Sequence, residues 1–372
     1  MTVIDELRAR ALTEVEQEHL PSCQFAVAFD RKVLVEETVG DAPPDARYVC
    51  FSSTKPVVAS VVWQLIGESM LDPEKAVTTW WPEFGANGKD RVTLDHVLQH
   101  TAGFPLAALA RQAGGERADR VRQMEAWKLD WKPGTRFEYH GLSAHWVLAE
   151  LITRVTGEDY RAALRKRVLD PLCLDRLELG VPPMRQGDVQ PVVETMEAPS
   201  AEEIRRVLGI DHLPEPEPGG ESADPVDLTA FAAPESLAAG VPGVGAVGNA
   251  GSLALFYQAL LHNPGKLWDP GVLKDVTGNA RNQFPGPLGG SAMRSRGLEI
   301  AGDDEFASLR LGFGVTSPAA FGHGGAGGQV AWADPETGLS FVFLTGGMDR
   351  HFIRAHRRGR DLSALANRCL EL

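Results

Sequence analysis

No apolar run in this chain reaches the roughly 20 residues needed to cross a bilayer. The first twenty residues also lack the unbroken apolar core of a secretory leader. Ile4, Leu7, Leu12 and Val15 fall there at helical spacing among charges, so the expectation is a cytoplasmic protein with no membrane partner. Basic charge is in deficit. The 37 Lys and Arg against 50 Asp and Glu leave a net charge of −13, which disfavours nucleic acid and anionic membrane surfaces as partners. Cysteine is scarce: Cys23, Cys50, Cys173 and Cys369 lie far apart with no C-x-x-C. They read as buried thiols, not as a disulfide or zinc framework. No internal repeat is present. At 372 residues the chain is long for one compact unit and suggests one large or two interleaved domains.

What is present centres on Cys50-Phe51-Ser52-Ser53-Thr54-Lys55-Pro56. Ser52 alone among the serines has lysine three positions on. A helix starting there would put both side chains on one face. A serine hydroxyl needs a nearby base to become a nucleophile, and a lysine serves if burial or a cationic neighbour lowers its pKa. Pro56 fits a first helical turn, which leaves Ser52 at a helix start facing an arriving oxyanion. The bland alternative is a capping serine with a solvated lysine. The residues that follow, Val57 to Ile66, are apolar nearly all round, so the helix is buried. A lysine at its mouth then needs a partner or a task.

In chain order, a helix precedes strands over 24–29 and 33–39. A short helix is expected from Asp72-Pro73, another from Thr93 to His100, and one over about 116–129. Arg136 to Tyr139 reads as extended, and Ser143 as the cap of a helix closed by Gly157. A further helix runs over 159–169, and the acidic, proline-rich 182–234 is a long loop or insertion. After a helix near 252–262, Leu309 to Val315 reads as a strand. Val330 to Thr345 reads as a hairpin and 349–372 as a closing helix. The pattern predicts an α+β sandwich: an antiparallel sheet from both termini, flanked by helices, with a mostly helical domain inserted. The expected division is 1–78 with 285–372, and 79–284.

Several motifs compete for attention. Gly243 to Gly248 spells G-x-G-x-x-G, but no strand precedes it and no βαβ unit surrounds it, so it reads as a flexible loop and no nucleotide cofactor is implied. His96 and His100 have metal-ligand spacing without an acid between them, so a structural pair is expected and no metal. Tyr139 is an ordinary half-buried aromatic or, beside a cationic lysine, a phenolate base. The glycines of Gly322-His323-Gly324-Gly325-Ala326-Gly327-Gly328 make either a loose turn or a clear strand edge offering an N–H to an oxyanion.

Taken together these segments resemble the serine β-lactamase and penicillin-binding-protein superfamily, whose signature is S-x-x-K. The nearest likeness is to class C β-lactamases and the related carboxylesterases, D-aminopeptidases and D-alanyl-D-alanine peptidases. It runs from about residue 20 to 350, through Ser52 to Lys55, Val92 to Gly103, Pro133 to Tyr139 and Gly322 to Gly325. The resemblance implies that Ser52 is acylated, that Lys55 and Tyr139 share the proton work, and that the N–H groups of Ser52 and Ala326 form the oxyanion hole. His323-Gly324-Gly325 stands in place of the family's Lys-Thr-Gly, and Tyr139-His140-Gly141 in place of Tyr-x-Asn. Gly141, His323, Gly324 and Gly325 would thus line a substrate site short of an amide, a fixed cation and a hydroxyl. The implied activity is hydrolysis of small acyl esters. A D-peptidase or amidase, and a catalytically silent binding protein, are the alternatives. A small-molecule ester or amide is the expected partner, and self-association is left open.

Overall fold

The computed structural model describes residues 2–110, 114–209, 227–286 and 289–370. Helix α1 (Val3–Glu16) starts on a capping box in which Thr2 and Asp5 exchange hydrogen bonds. Strands β1 (Ser22–Phe29) and β2 (Lys32–Gly40) form a hairpin turned at Asp30 and Arg31, both at positive φ, the backbone that matches strand twist. Strand β3 (Tyr48–Val49) enters a 3₁₀ turn, Phe51–Ser53, and then α2 (Thr54–Gly67). The middle of the chain holds α3 (Leu94–Leu98), α4 (Arg117–Ala126), α5 (Ser143–Thr156), α6 (Tyr160–Leu164), β4 (Leu177–Leu179), β5 (Val193–Thr195), α7 (Ala201–Leu208) and α8 (Pro234–Ala239). It continues through β6 (Ala246–Gly248), α9 (Ala250–His262) and α10 (Pro270–Gly278). The last third supplies β7 (Glu299–Ile300), β8 (Phe321–Gly322), β9 (Val330–Ala333), β10 (Leu339–Thr345), β11 (Gly347–Asp349) and α11 (Phe352–Asn367).

The main sheet runs β2-β1-β10-β9-β8-β7, every pair antiparallel. β1 is an interior strand, next to edge strand β2, and buried on both faces. Its period-two alternation divides two cores. Phe25 and Val27 join Leu7, Ala11 and Leu362 beneath α1 and α11, while Ala26 and Ala28 join Leu253 and Phe256 of α9. The expected antiparallel sheet flanked by helices is therefore the fold. A second sheet, β3-β6-β4, lies where the chain turns into α2.

Four expectations fail locally. Leu309–Val315 is not a strand: Gly312, Phe313 and Gly314 all take positive φ, and the chain coils instead of extending. Asp72-Pro73 makes a single turn closed by Lys75 N–H to Asp72 O, and Leu94 N–H then bonds Lys75 O. Arg136–Tyr139 lies in no helix or strand, and the stretch around it bonds the segment after α3 through Gly134 N–H to Thr101 O and Glu138 N–H to His100 O. Ser143 does not cap α5; its hydroxyl donates to Phe104 O. Cys173 is exposed, although the other three thiols are buried. The Pro214 to Gly220 stretch of the acidic insertion lies outside the described residues.

The chain's two ends are tied through a buried guanidinium. Arg358 of α11 donates to Glu14 of α1 at 2.9 Å and to Asp349 at 3.0 Å, and its Nη2 reaches Gly327 O at 3.1 Å. Burial pushes both carboxyls upward, but for Glu14 the Arg358 and Arg10 guanidiniums, and for Asp349 the Arg354 and Arg358 guanidiniums with the His351 N–H, leave them below their ordinary values of 4.5 and 3.8. A carboxyl depressed in the folded state stabilises above its unfolded pKa, and that stability is lost as pH falls through the folded value. Melting temperature should therefore drop as pH is lowered below about 4.5. Arg358→Met removes one buried partner from each carboxylate, leaving Glu14 to Arg10 and Asp349 to Arg354, and should cost about 3 kcal/mol in urea unfolding.

Candidate active site

Ser52 sits on a tight turn between β3 and α2, half-buried. The preceding Phe51 is held at φ 42°, a left-handed conformation that costs a bulky residue about 1–3 kcal/mol. Burial of its ring holds it there, together with Cys50 N–H to Ala246 O at 2.8 Å and Ser53 N–H to Cys50 O at 3.0 Å. Ser52 thus precedes the α-helix instead of starting it. Lys55 remains helical despite preceding Pro56. The adjacent Ser53 hydroxyl is already engaged, donating to His323 O at 2.9 Å.

Lys55 has 0% exposure. Its Nζ lies 3.2 Å from Ser52 Oγ and donates to Gly243 O at 2.8 Å. Burial, then the Arg294 charge, holds the amine well below the usual lysine range. A neutral amine that gives one N–H to Gly243 O has its lone pair free for a proton from Ser52. Tyr139 Oη is buried beside Ser52 with no partner in hydrogen-bonding geometry. Its ring lies under Lys55 Nζ, 5.0 Å from the centroid. Burial pushes the phenol up to about 12 despite opposing contributions from Arg294 and the Ser52 hydroxyl. Of the two sequence readings of Tyr139, the electrostatics disfavour the phenolate, since they hold the lysine amine low and the phenol high.

The glycine-rich segment comes alongside. His323 N–H bonds Ala331 O, and a Cβ on Gly325 would lie 2.9 Å from Cys50 O, so only glycine lets this backbone pass the Ser52 turn. Ala326 opens the 3₁₀ turn Ala326–Gly328, whose Gly327 carbonyl is the one Arg358 grips. His323 Nδ1 donates to Gly324 O at 2.7 Å, and Nε2 is buried without a partner. Burial, then Arg294 and Lys55, keeps the ring neutral, well below the ordinary histidine value. A Cβ on Gly141 would meet only the Tyr139 ring edge, at 3.8 Å, so this position borders open space.

The structure thus brings Ser52, Lys55, Tyr139 and the 323–326 segment together. His96 and His100 part company: His96 Nδ1 accepts from Thr93 N–H in the cap of α3, and His100 Nδ1 from His140 N–H. Two neighbours of these residues were not placed here by sequence reasoning. The G-x-G-x-x-G stretch is no flexible loop but a buried turn leading into β6, and its Gly243 carbonyl holds the lysine. Arg294 lies in no motif, yet its guanidinium carbon is 5.6 Å from the Tyr139 ring centroid. The G-x-G-x-x-G glycines could have flagged close backbone approach; nothing marks Arg294.

A family model described as Beta-lactamase matches residues 4–366. The chain belongs to the beta-lactamase family. As a member it is a serine hydrolase, and relatives within the family carry esterase names. It is 31% identical over 310 residues to the esterase/beta-lactamase LipL of Mycobacterium tuberculosis, covering 81% of this chain and 69% of that one. It is 28% identical over 341 residues to the esterase EstB of Burkholderia gladioli, covering 81% and 77%. A penicillin-binding-protein homologue from Caulobacter crescentus shares the fold with a TM-score of 0.76 at 24% identity, over 99% of this chain and 98% of that one. No helix among the described residues is long and apolar enough to cross a membrane.

Proposed function

We propose that the protein is a carboxylesterase that cleaves small acyl esters through an acyl-enzyme on Ser52. The observation that carries this reading is the buried Lys55 amine, 3.2 Å from Ser52 Oγ and held by Gly243 O. In the proposed sequence neutral Lys55 takes the Ser52 proton as Oγ attacks the ester carbonyl. The N–H groups of Ser52 and Ala326 receive the oxyanion. The proton passes to the departing alkoxide by way of the Tyr139 hydroxyl, which stays protonated at rest. Water then deacylates Ser52 by the same path in reverse. The esterase names of two relatives support the ester over the amide.

The substrate site supports the same choice. Gly141 has no side chain to bind an acyl amide, Gly324 has no hydroxyl, and His323 is neutral. Each missing hydrogen bond to a charged group weakens binding of a substrate that needs it by about 1.5–3 kcal/mol, roughly tenfold to a hundredfold. The value of kcat/KM for p-nitrophenyl butyrate should therefore exceed that for a chromogenic cephalosporin by at least about tenfold on one preparation. Comparable turnover of both would remove Gly141 and Gly324 as specificity determinants. Faster cleavage of a D-amino-acid anilide than of either would make the protein an amidase, and no labelling of Ser52 by a fluorophosphonate would make it a silent binding protein.

A further inference from the structure

We infer that Arg294 is a binding site for a carboxylate carried by the ester substrate, an inference that rests on the esterase reading. The arginine is anchored by its backbone: Arg294 N–H bonds Asn282 O at 3.1 Å, and its carbonyl accepts from Arg281 and Asn282 N–H at 2.9 Å each. Its side chain points to the Tyr139 ring and is 14% exposed. Glu299 Oε1 lies 3.3 Å from Nη2, while Nε and Nη1 are buried with no hydrogen-bond partner. Glu299 is itself shared, since its other oxygen accepts from Leu311 N–H.

The contrast with Arg296, two residues on, is informative. That guanidinium is held by Asp95, Asp275 and Glu74, as a structural arginine is. Arg294 keeps two donors in hand where unsatisfied burial is costly. A second donor nearby is unpaired as well: Tyr139 Oη has no partner in hydrogen-bonding geometry. An acceptor is missing from this corner of the cleft, and an anionic oxygen of the ligand supplies it. The cation absent from the His323-Gly324-Gly325 stretch is thereby provided by a different segment. It lies against Tyr139 and leaves the acyl-amide position at Gly141 empty, so the expected disadvantage of cephalosporins stands.

The test uses two matched pairs. With the charge on the acyl side, mono-4-nitrophenyl adipate is compared with its methyl ester. With the charge on the leaving group, 4-acetoxybenzoate is compared with methyl 4-acetoxybenzoate. In at least one pair the carboxylate should raise kcat/KM tenfold or more over its neutral partner, and the better pair tells which side of the ester faces Arg294. Arg294→Met should cut that ratio at least tenfold, whatever it does to the neutral ester; if this variant does not fold, Arg294→Gln is read by the same ratio. A wild-type ratio at or below one in both pairs, or a ratio unmoved by the substitution, overturns the proposal while leaving the esterase intact. If folded wild-type protein cleaves no ester of either pair, the esterase reading itself fails.

Discussion

Replacing Ser52 with alanine should lower ester hydrolysis by about 10⁴-fold or more and leave the protein folded. The size follows from removing the atom that carries the acyl group, for which no neighbour substitutes. Ser53 cannot take over, because its hydroxyl is buried and committed to His323 O. Ser53→Ala should keep most activity apart from what loosening that tie costs. The fold survives Ser52→Ala because the turn is held by Cys50 and Phe51, not by the Ser52 side chain. Intact-protein and peptide mass spectrometry after fluorophosphonate treatment checks the site. Label on Ser53, or residual turnover within tenfold of wild type, would sink the assignment.

Lys55→Ala and Tyr139→Phe should each slow acylation on the order of 10²- to 10⁴-fold, as loss of a general base or proton carrier does. The two side chains flank one hydroxyl, so the double variant should lose less than the product of the single losses. Their pH signatures differ. Lys55 works as the neutral amine, and burial with Arg294 lowers its pKa, so kcat/KM should rise with pH as Lys55 deprotonates, well below the ordinary lysine range. Tyr139→Phe should retain that limb, whereas Lys55→Ala should lose it. A Tyr139→Phe enzyme near wild-type rate would return the tyrosine to a packing role. Loss of the acidic limb in Tyr139→Phe would instead make the phenol the titrating base.

Much of the scaffold was legible because its signals are local. The Asp30-Arg31 and Asp334 to Gly338 turns sit between apolar runs, and α5 and α9 repeat apolar residues at helical spacing. The Ser52-Lys55 pair was legible for the same reason, since both residues lie on one short stretch. What sequence missed is set by partners far away in the chain. Arg136–Tyr139 read as extended, but nothing in it told that the stretch would bond the segment after α3. The glycines at 243–248 looked like loose linker, but the chain there is pinned by Lys55 Nζ at Gly243 O, and Thr54 Oγ1 accepts from Ala246 N–H. Arg294 carries no motif at all; only the fold brings it to Tyr139. For Tyr139 the sequence left a packing role and a phenolate open, because the charge of Lys55 depends on burial that no spacing reveals.

The position of β1 in the sheet has a consequence for biosynthesis. Its partner on one side is β2, a few residues away, but on the other it is β10, with Cys23 opposite Thr345. A nascent chain emerging from the ribosome can close the β1–β2 hairpin within microseconds. It must then wait until β10 (Leu339–Thr345) has been made before the other edge of β1 is covered. Closing so long a loop is entropically unfavourable, and such non-local pairing slows folding. Until then an apolar strand edge is open to the wrong neighbour, which makes this interval the aggregation hazard of the protein's expression. The backbone that passes Ser52, from His323 to Ala326, arrives just ahead of β10. A chain not yet extended that far presents Ser52 with no glycine strand beside it, and hydrolytic competence should appear only once β8 to β10 have been made and paired.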